Sequence, residues 1–265
     1  MFRINCDLCP NNCKGQIGIC GNRLENIGKF SAIAIDPIEK KPFYHLYPKS
    51  KTLSFGGIGC NLKCPWCQNW NISKEFTNVG TTVLSPQDIL LLAKKYEMKT
   101  VSFTYNEPTI YYEFIVEAAE LLLENKIETL IVSSGYISSK YLEPFYKNVK
   151  GANIDLKCFD SSNYKNIIGG KLETILNTLE YLNSSSTWLE ITTLIIPEFN
   201  DSNTEIKKMC KWIYSTLGSE VPIHFSAFHP SYKYLNKINT PVKKIEEVIK
   251  IAKDEGLQYV YSGNI

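Results

Sequence analysis

With 265 residues, 44% of them hydrophobic and 21% charged, the chain is long enough to bury a substantial core as one large domain with room for a small extension. Its 29 basic and 27 acidic side chains leave a formal charge of +2, so neither a nucleic acid nor a membrane surface is expected as a partner. Nine cysteines would suit a disulfide-bonded secreted protein, but the start Met1-Phe2-Arg3-Ile4-Asn5-Cys6 has no signal-peptide pattern, and a cytoplasmic chain using its thiols as metal ligands is expected instead.

The first cluster is Cys6, Cys9, Cys13 and Cys20, spaced CxxCxxxC with six residues before the fourth cysteine. Thiols this compact, punctuated by Gly15, Gly18 and Gly21, can close a complete four-ligand site. An auxiliary iron-sulfur cluster and a structural zinc fit equally, and free thiols are a third reading. Lys29 to Ile35 and Lys41 to Pro48 read as short extended pieces joined by Asp36-Pro37, a lead-in that packs on the main domain. His45, flanked by aromatics, reads as a satisfied packing histidine. Residues 1–50 are thus taken as a Cys-rich extension with its lead-in, and 51–265 as the main domain.

A short apolar run, Thr52 to Phe55, predicts a strand that ends in a glycine-rich loop carrying Cys60, Cys64 and Cys67 as CxxxCxxC. Three thiolates on a four-iron cluster leave one iron open to an external ligand. A zinc knuckle or buried thiols fit less well, because zinc sites prefer paired CxxC knuckles with a fourth ligand. Cys158 and Cys210 stand alone and read as core or near-surface thiols.

Beyond this loop the chain alternates. Ser85-Pro86-Gln87-Asp88 is a capping-box start for a helix through Tyr96. Strands are expected at Val101–Thr104, Thr129–Val132, Ala152–Leu156, Trp188–Ile196, Ile223–Ala227 and Gln258–Tyr261. Helices fall between them at Tyr112–Glu124, Lys140–Tyr146, Leu172–Asn183, from the capping box Ser202-Asn203-Thr204-Glu205 to about Leu217, and at Pro241–Asp254. Six strand-helix units and a closing strand imply parallel strands with right-handed crossovers. A doubly wound open sheet has the same alternation. A complete barrel of this class needs eight units in about 250 residues, so six suggest an incomplete one.

Chemistry in a parallel barrel gathers at the C-terminal strand ends. The second strand runs into Tyr105-Asn106-Glu107-Pro108-Thr109, where a carboxamide and a carboxylate beside a stiff turn suit an ammonium group, or else simply open a helix. The third ends in Ser133-Ser134-Gly135, a hydroxyl-bearing turn of a common type. On the fourth, Asp155 and Lys157 alternate onto one face, where opposite charges must pair or meet a ligand. Glu190 on the fifth could project inward among Thr192 and Leu194. His229 lies past the end of the sixth, before Pro230, and reads as lining the site, whereas His224 reads as core. Gly263 and Asn264 can curl back over the barrel mouth, or fray.

CxxxCxxC with Trp66 just before its last cysteine resembles the signature of the radical S-adenosylmethionine (SAM) enzymes. That resemblance implies a partial (β/α)6 TIM-type barrel and a [4Fe-4S] cluster on Cys60, Cys64 and Cys67. By the same implication, the open iron holds the amino and carboxylate groups of SAM. One electron then cleaves SAM to methionine and a 5′-deoxyadenosyl radical, which abstracts hydrogen from a substrate. The chain is similar to the enzymes that activate glycyl-radical proteins, and this similarity implies SAM contacts from Trp66, Asn106, Glu107, Ser133, Ser134, Asp155, Lys157 and His229. Two departures stand out: Asn106-Glu107 replaces a glycine-rich acidic motif, and Val132 replaces an aspartate near a monovalent-cation corner.

The N-terminal cysteines, Lys41-Pro42-Phe43-Tyr44-His45, Cys60 to Trp70, Tyr105 to Thr109, Asp155-Leu156-Lys157, Ile196 to Asp201, His224 to Lys233 and Tyr261 to Ile265 together resemble the radical SAM component of the AmmeMemoRadiSam system. This resemblance implies Memo-like and AMMECR-type protein partners and a small electron donor such as flavodoxin or ferredoxin. The expected function is a radical SAM enzyme acting on an unidentified substrate. A glycyl-radical-enzyme activase and a protein or peptide maturase are the other catalytic readings, and a zinc or iron-sulfur scaffold protein is the non-catalytic one.

Overall fold

The computed structural model describes residues 4–15, 17–21, 23–75 and 79–265. Strand β1, Lys51–Gly56, begins a succession of parallel strands: β2 Thr100–Phe103, β3 Glu128–Ser133, β4 Val149–Asp155, β5 Trp188–Ile195, β6 Ile223–Ala227 and β7 Val260–Gly263. Helices α1 Pro86–Lys95, α2 Tyr112–Glu124, α3 Leu142–Tyr146, α4 Leu172–Ser184, α5 Asn203–Trp212 and α6 Val242–Asp254 alternate with them. Each strand pairs with its neighbour in sequence, and Ala32–Pro37 adds an antiparallel edge against β1. The order never reverses, so the sheet is a singly wound partial barrel and not the doubly wound alternative. Among the described residues no helix is long and apolar enough to cross a membrane.

Local sequence explains where the helices begin. Ser85 accepts from Asp88 N–H while Asp88 accepts from Ser85 N–H, a full capping box with proline following. Only half of the second expected box forms. Ser202 accepts from Glu205 N–H, but the Glu205 carboxylate turns to the Phe159 N–H at 2.7 Å and ties α5 to the segment after β4. Past α5 the chain continues as a π-turn, Ile213–Leu217.

The lead-in departs from the expected extended pieces. Only Lys29–Phe30 and Ala32–Pro37 are strands; Ile38–Lys40 is a 3-10 turn, and turns and bends follow to Lys49. This segment plugs the barrel floor, where Ile38, Phe43 and Leu46 form a separate apolar cluster with Leu130 of β3. Gly151 of β4 makes the room, since a Cβ there would lie 2.5 Å from Leu46 Cδ2. From Ile38 to Ser50 the plug joins no strand ladder. Side chains satisfy its backbone instead: Asn153 Nδ2 donates to the Pro42 carbonyl at 2.8 Å, and Glu190 accepts from the Tyr44 and His45 N–H groups.

Candidate functional site

Above the plug, at the C-terminal ends of the strands, lies a cavity of about 610 Å³. That volume falls within the ~300–1,000 Å³ usual for ligand sites. The loop after β1 forms one wall, and the cavity is lined by Cys60, Cys64 and Cys67 together.

The loop is gripped by polar contacts from several strand ends. Asn106, after β2, accepts from Gly57 N–H at 3.1 Å and donates to the Gly59 carbonyl at 2.8 Å. Lys63 N–H donates to the Ile168 carbonyl, while Lys233 N–H and Ser231 Oγ, beyond β6, donate to the carbonyls of Pro65 and Cys67. Trp66 is buried, its ring 4.7 Å from Phe199 and 5.7 Å from Tyr234. Phe199 belongs to the turn after β5, whose Asn200 donates to the Lys157 and Leu194 carbonyls. The Ile196 to Asp201 motif therefore acts as a strut.

Glu107 lines the cavity although its residue is 1% exposed. Its carboxylate accepts from Thr109 N–H and Oγ1 and Ser133 Oγ on one oxygen, and from Ser134 N–H and Oγ on the other. The turns after β2 and β3 thus form one unit: Ser133 lies behind the cavity wall holding Glu107, and Ser134 reaches the cavity itself. Glu107 also caps the 3-10 turn Pro108–Tyr111, so the helix-opening reading describes part of its role. Asp155 and Lys157 line the opposite side as a 2.8 Å ion pair. Burial alone would lower the Lys157 pKa, but Asp155 and Cys64 outweigh it and hold the amine protonated.

Of the two histidines, His224 keeps its expected buried place while also reaching the cavity, and His229 departs from its expected one. His229 is exposed and off the cavity wall, past the end of β6 at the rim, with Nε2 2.9 Å from the Asn264 carbonyl. His224 is buried yet lines the cavity, its Nε2 2.6 Å from Glu190 beneath. Ser262, Gly263 and Asn264 close over the same mouth, and Val132 lines the corner where an aspartate was the expected residue. His45 packs as expected, with Nε2 2.7 Å from Tyr261 Oη.

The donor set fits a cluster. Leu62 N–H approaches Cys60 Sγ at 3.5 Å, and Lys74, which lines the same cavity, donates to the Leu62 carbonyl. Burial pushes the Cys60 thiol up to about 12, with Lys74 pulling the other way, so loading the site releases protons. Three thiols share the wall, one fewer than a closed four-ligand site needs. A thiolate-ligated cube with one open corner suits that count.

The family model of the radical SAM superfamily matches residues 56–213, more than half of the chain. This chain belongs to the radical SAM superfamily. An uncharacterized protein of Methanocaldococcus jannaschii, MJ0808, is 36% identical over 99% of this chain and 82% of its own. Pyruvate formate-lyase-activating enzyme of Clostridium pasteurianum is 26% identical over 72% of this chain and 82% of its own. Among solved structures, Streptococcus suis SuiB bound to S-adenosylmethionine superposes with a TM-score of 0.61 at 16% identity, over 78% of this chain and 48% of that one, a likeness of fold. The chain is therefore a radical SAM enzyme whose cofactors are a [4Fe-4S] cluster and SAM.

Sequence reasoning missed several residues of this radical SAM cavity. Lys74 follows the short helix Trp70–Ser73, and its nearness in sequence to the cysteine loop was the available signal. Tyr44 lies in the floor plug, its ring 4.6 Å from that of His224. Lys41 is 2% exposed, paired with Asp36 at 2.7 Å and 3.9 Å above the Tyr105 ring, so it braces the Tyr105-Asn106 turn from below.

Proposed function

We propose that this radical SAM enzyme cleaves SAM reductively and uses the resulting 5′-deoxyadenosyl radical to take a hydrogen atom from a substrate held against the barrel floor. The carrying observation is that Cys60, Cys64 and Cys67 face the same cavity as Glu107, Asp155 and Lys157. The cluster and SAM supply the radical chemistry when bound; the chain's own residues bind, orient and exclude water. In this reading the three thiolates hold the cluster, and Glu107, fixed by its donors, faces the SAM ammonium with Asn106 and Ser134 beside it. Lys157, kept charged by Asp155, faces the SAM carboxylate, and Trp66 wedges the loop. Ser133 acts through Glu107, while His229 contributes at the rim.

Protein purified without oxygen and reduced should convert SAM to 5′-deoxyadenosine, and SAM should alter the EPR spectrum of the reduced cluster. A reducible cluster showing neither effect overturns the reading. The substrate sits, in this proposal, over Tyr44, Thr192, His224 and Ser226, below the cysteine loop.

The finer assignment, the radical SAM component of the AmmeMemoRadiSam system, rests on the sequence resemblance carried by the N-terminal cysteines and the Lys41 to His45 segment. It brings Memo-like and AMMECR-type partners, a flavodoxin or ferredoxin donor and a cytoplasmic location as parts of the proposal. The division at residue 50 belongs to it too. Activation of a glycyl-radical protein is a second reading, favoured by the 26% identity to pyruvate formate-lyase-activating enzyme. A glycyl-radical EPR doublet formed in a partner protein is its test.

A further inference from the structure

The four N-terminal cysteines converge on a second site outside the cavity. Ile4–Cys6 and Cys13–Gly15 pair antiparallel with Cys6 opposite Cys13. Asn12 N–H closes a turn onto the Cys9 carbonyl at 3.1 Å, and Gly21 N–H bonds the Gly18 carbonyl at 3.0 Å, folding Cys20 back. All four thiols are free and line one hollow together with Arg23 and Asn61. The walls present donors to sulfur. Asn11, Asn61 and the Arg23 guanidinium line the hollow, and two bonds of 2.6 and 2.7 Å to Glu113 anchor Arg23 to the barrel. Donors and positive charge aimed at thiolates are the usual surroundings of an anionic thiolate centre.

Place distinguishes the possible occupants. Zinc has no redox chemistry and needs no neighbouring centre, whereas an iron-sulfur cube beside a cluster-binding loop can exchange electrons with it.

The hollow shares a wall with the cysteine loop. Asn61, next to Cys60, lines it, and Asn11 Nδ2 donates to the Asn61 carbonyl at 2.9 Å. Gly59, on the other side of Cys60, lies so close that a Cβ would sit 2.2 Å from the Cys20 carbonyl oxygen. The far side meets solvent, since Cys6, Cys13 and Cys20 are only half-buried.

We propose that Cys6, Cys9, Cys13 and Cys20 hold a second iron-sulfur cluster, closed to SAM because protein thiolates fill every corner, and that it passes single electrons across the Gly59–Asn61 wall to the open cluster. A low-potential protein donor of the ferredoxin or flavodoxin class gives up one electron, the closed cluster takes it and returns to its oxidised state as the open cluster is reduced, and no bond or proton changes hands. The electron's destination rests on the SAM-cleaving reading.

The test is metal and sulfide analysis with EPR on the full chain purified without oxygen. About eight iron and about eight sulfide per chain are expected, with no stoichiometric zinc. The Cys9→Ser, Cys20→Ser double variant should lose about half of the iron, keep a reduced signal that SAM alters, and accept electrons from ferredoxin or flavodoxin more slowly. Cys64→Ala should keep the complementary half, with a signal indifferent to SAM. About four iron in the unmodified protein, with one zinc or with none, overturns the proposal whether or not the variants fold. Undiminished reduction of the double variant overturns the relay. Two clusters of which neither responds to SAM sink the SAM-cleaving reading while the second centre stands.

Discussion

Glu107 is the residue on which the site's polar geometry turns. Five donors from Thr109, Ser133 and Ser134 converge on one buried carboxylate, so its charge is fixed in place before any ligand arrives. Glu107→Gln sets an amide NH2 against donors and removes the charge. The variant should lose about 1–3 kcal/mol in urea unfolding and bind SAM more weakly by calorimetry; unchanged SAM affinity would show that the carboxylate faces no ammonium. Glu190 has the same character beneath the cavity. Burial pushes its carboxyl up, but His224, the His45 and Tyr44 N–H groups and the Trp188 indole outweigh that and hold it below its ordinary 4.5. A lowered folded-state pKa contributes stability that is fully present above pH 4.5 and is lost as pH falls through the folded value. The stability gap between the natural protein and Glu190→Gln should therefore be constant near neutrality and shrink below pH 4.5 in denaturation titrations. The histidines show why residue-level reading has limits. Alternation alone puts His224 and Ser226 on one face, in register with Thr192 and Leu194, and all four line the cavity. Distance from the strand end pointed to His229 instead, and its contact with the Asn264 carbonyl at the rim has no periodic signal.

At the scale of elements, the six strand-helix units were legible because each strand is a short apolar run and each helix carries a cap or a 3.6-residue stripe. The floor plug was not, because its partners lie far away in sequence: Phe43 and Leu46 against Gly151, Tyr44 and His45 against Glu190. Local pattern cannot register contacts made across a barrel. The plug is fixed to the edge strand by the Lys41–Asp36 pair, whose members are 2% and 4% exposed. Lys41→Met leaves the Asp36 carboxylate with Tyr105 and Lys40 alone and should cost about 3 kcal/mol by chemical denaturation, while Asp36→Asn added to it should restore most of the loss. If the double variant is as unstable as the single one, shape and not charge governs the plug. The cysteine loop has its own constraint. Gly59 sits at φ +90 against the Cys20 carbonyl, so Gly59→Ala must strain the backbone and push the N-terminal hairpin away. It should purify with less iron than the natural protein by colorimetric assay, and full iron content would mean that the two loops separate without consequence.

For the whole molecule, cofactor retention and fold stability should be separable. The sheet is closed from below by Ile38, Phe43, Leu46 and Leu130, and its outer face packs on the helices through residues such as Ile131, Ile154 and Ile191. Cys158 and Cys210 are buried in that core outside both cysteine clusters, and Cys9 and Cys64 join it from the loops above. The top is held differently: residues 57–69 and the Leu8 to Asn11 turn are joined to the barrel by scattered hydrogen bonds and not by a strand ladder, including Ser138 N–H to the Leu8 carbonyl and Asn61 Nδ2 to the Tyr136 carbonyl, both 2.8 Å. Segments outside the ladder open locally at less cost than global unfolding. Stripping iron with a chelator should therefore speed amide hydrogen exchange in residues 5–21, 57–69 and 136–141, while strands β2 to β5 keep the rates of the loaded protein. Exchange that accelerates evenly across the sheet would mean that the metal centres are part of the core. Selective exchange at the top would place the radical chemistry on a lid of loops carried by a barrel that stands without it.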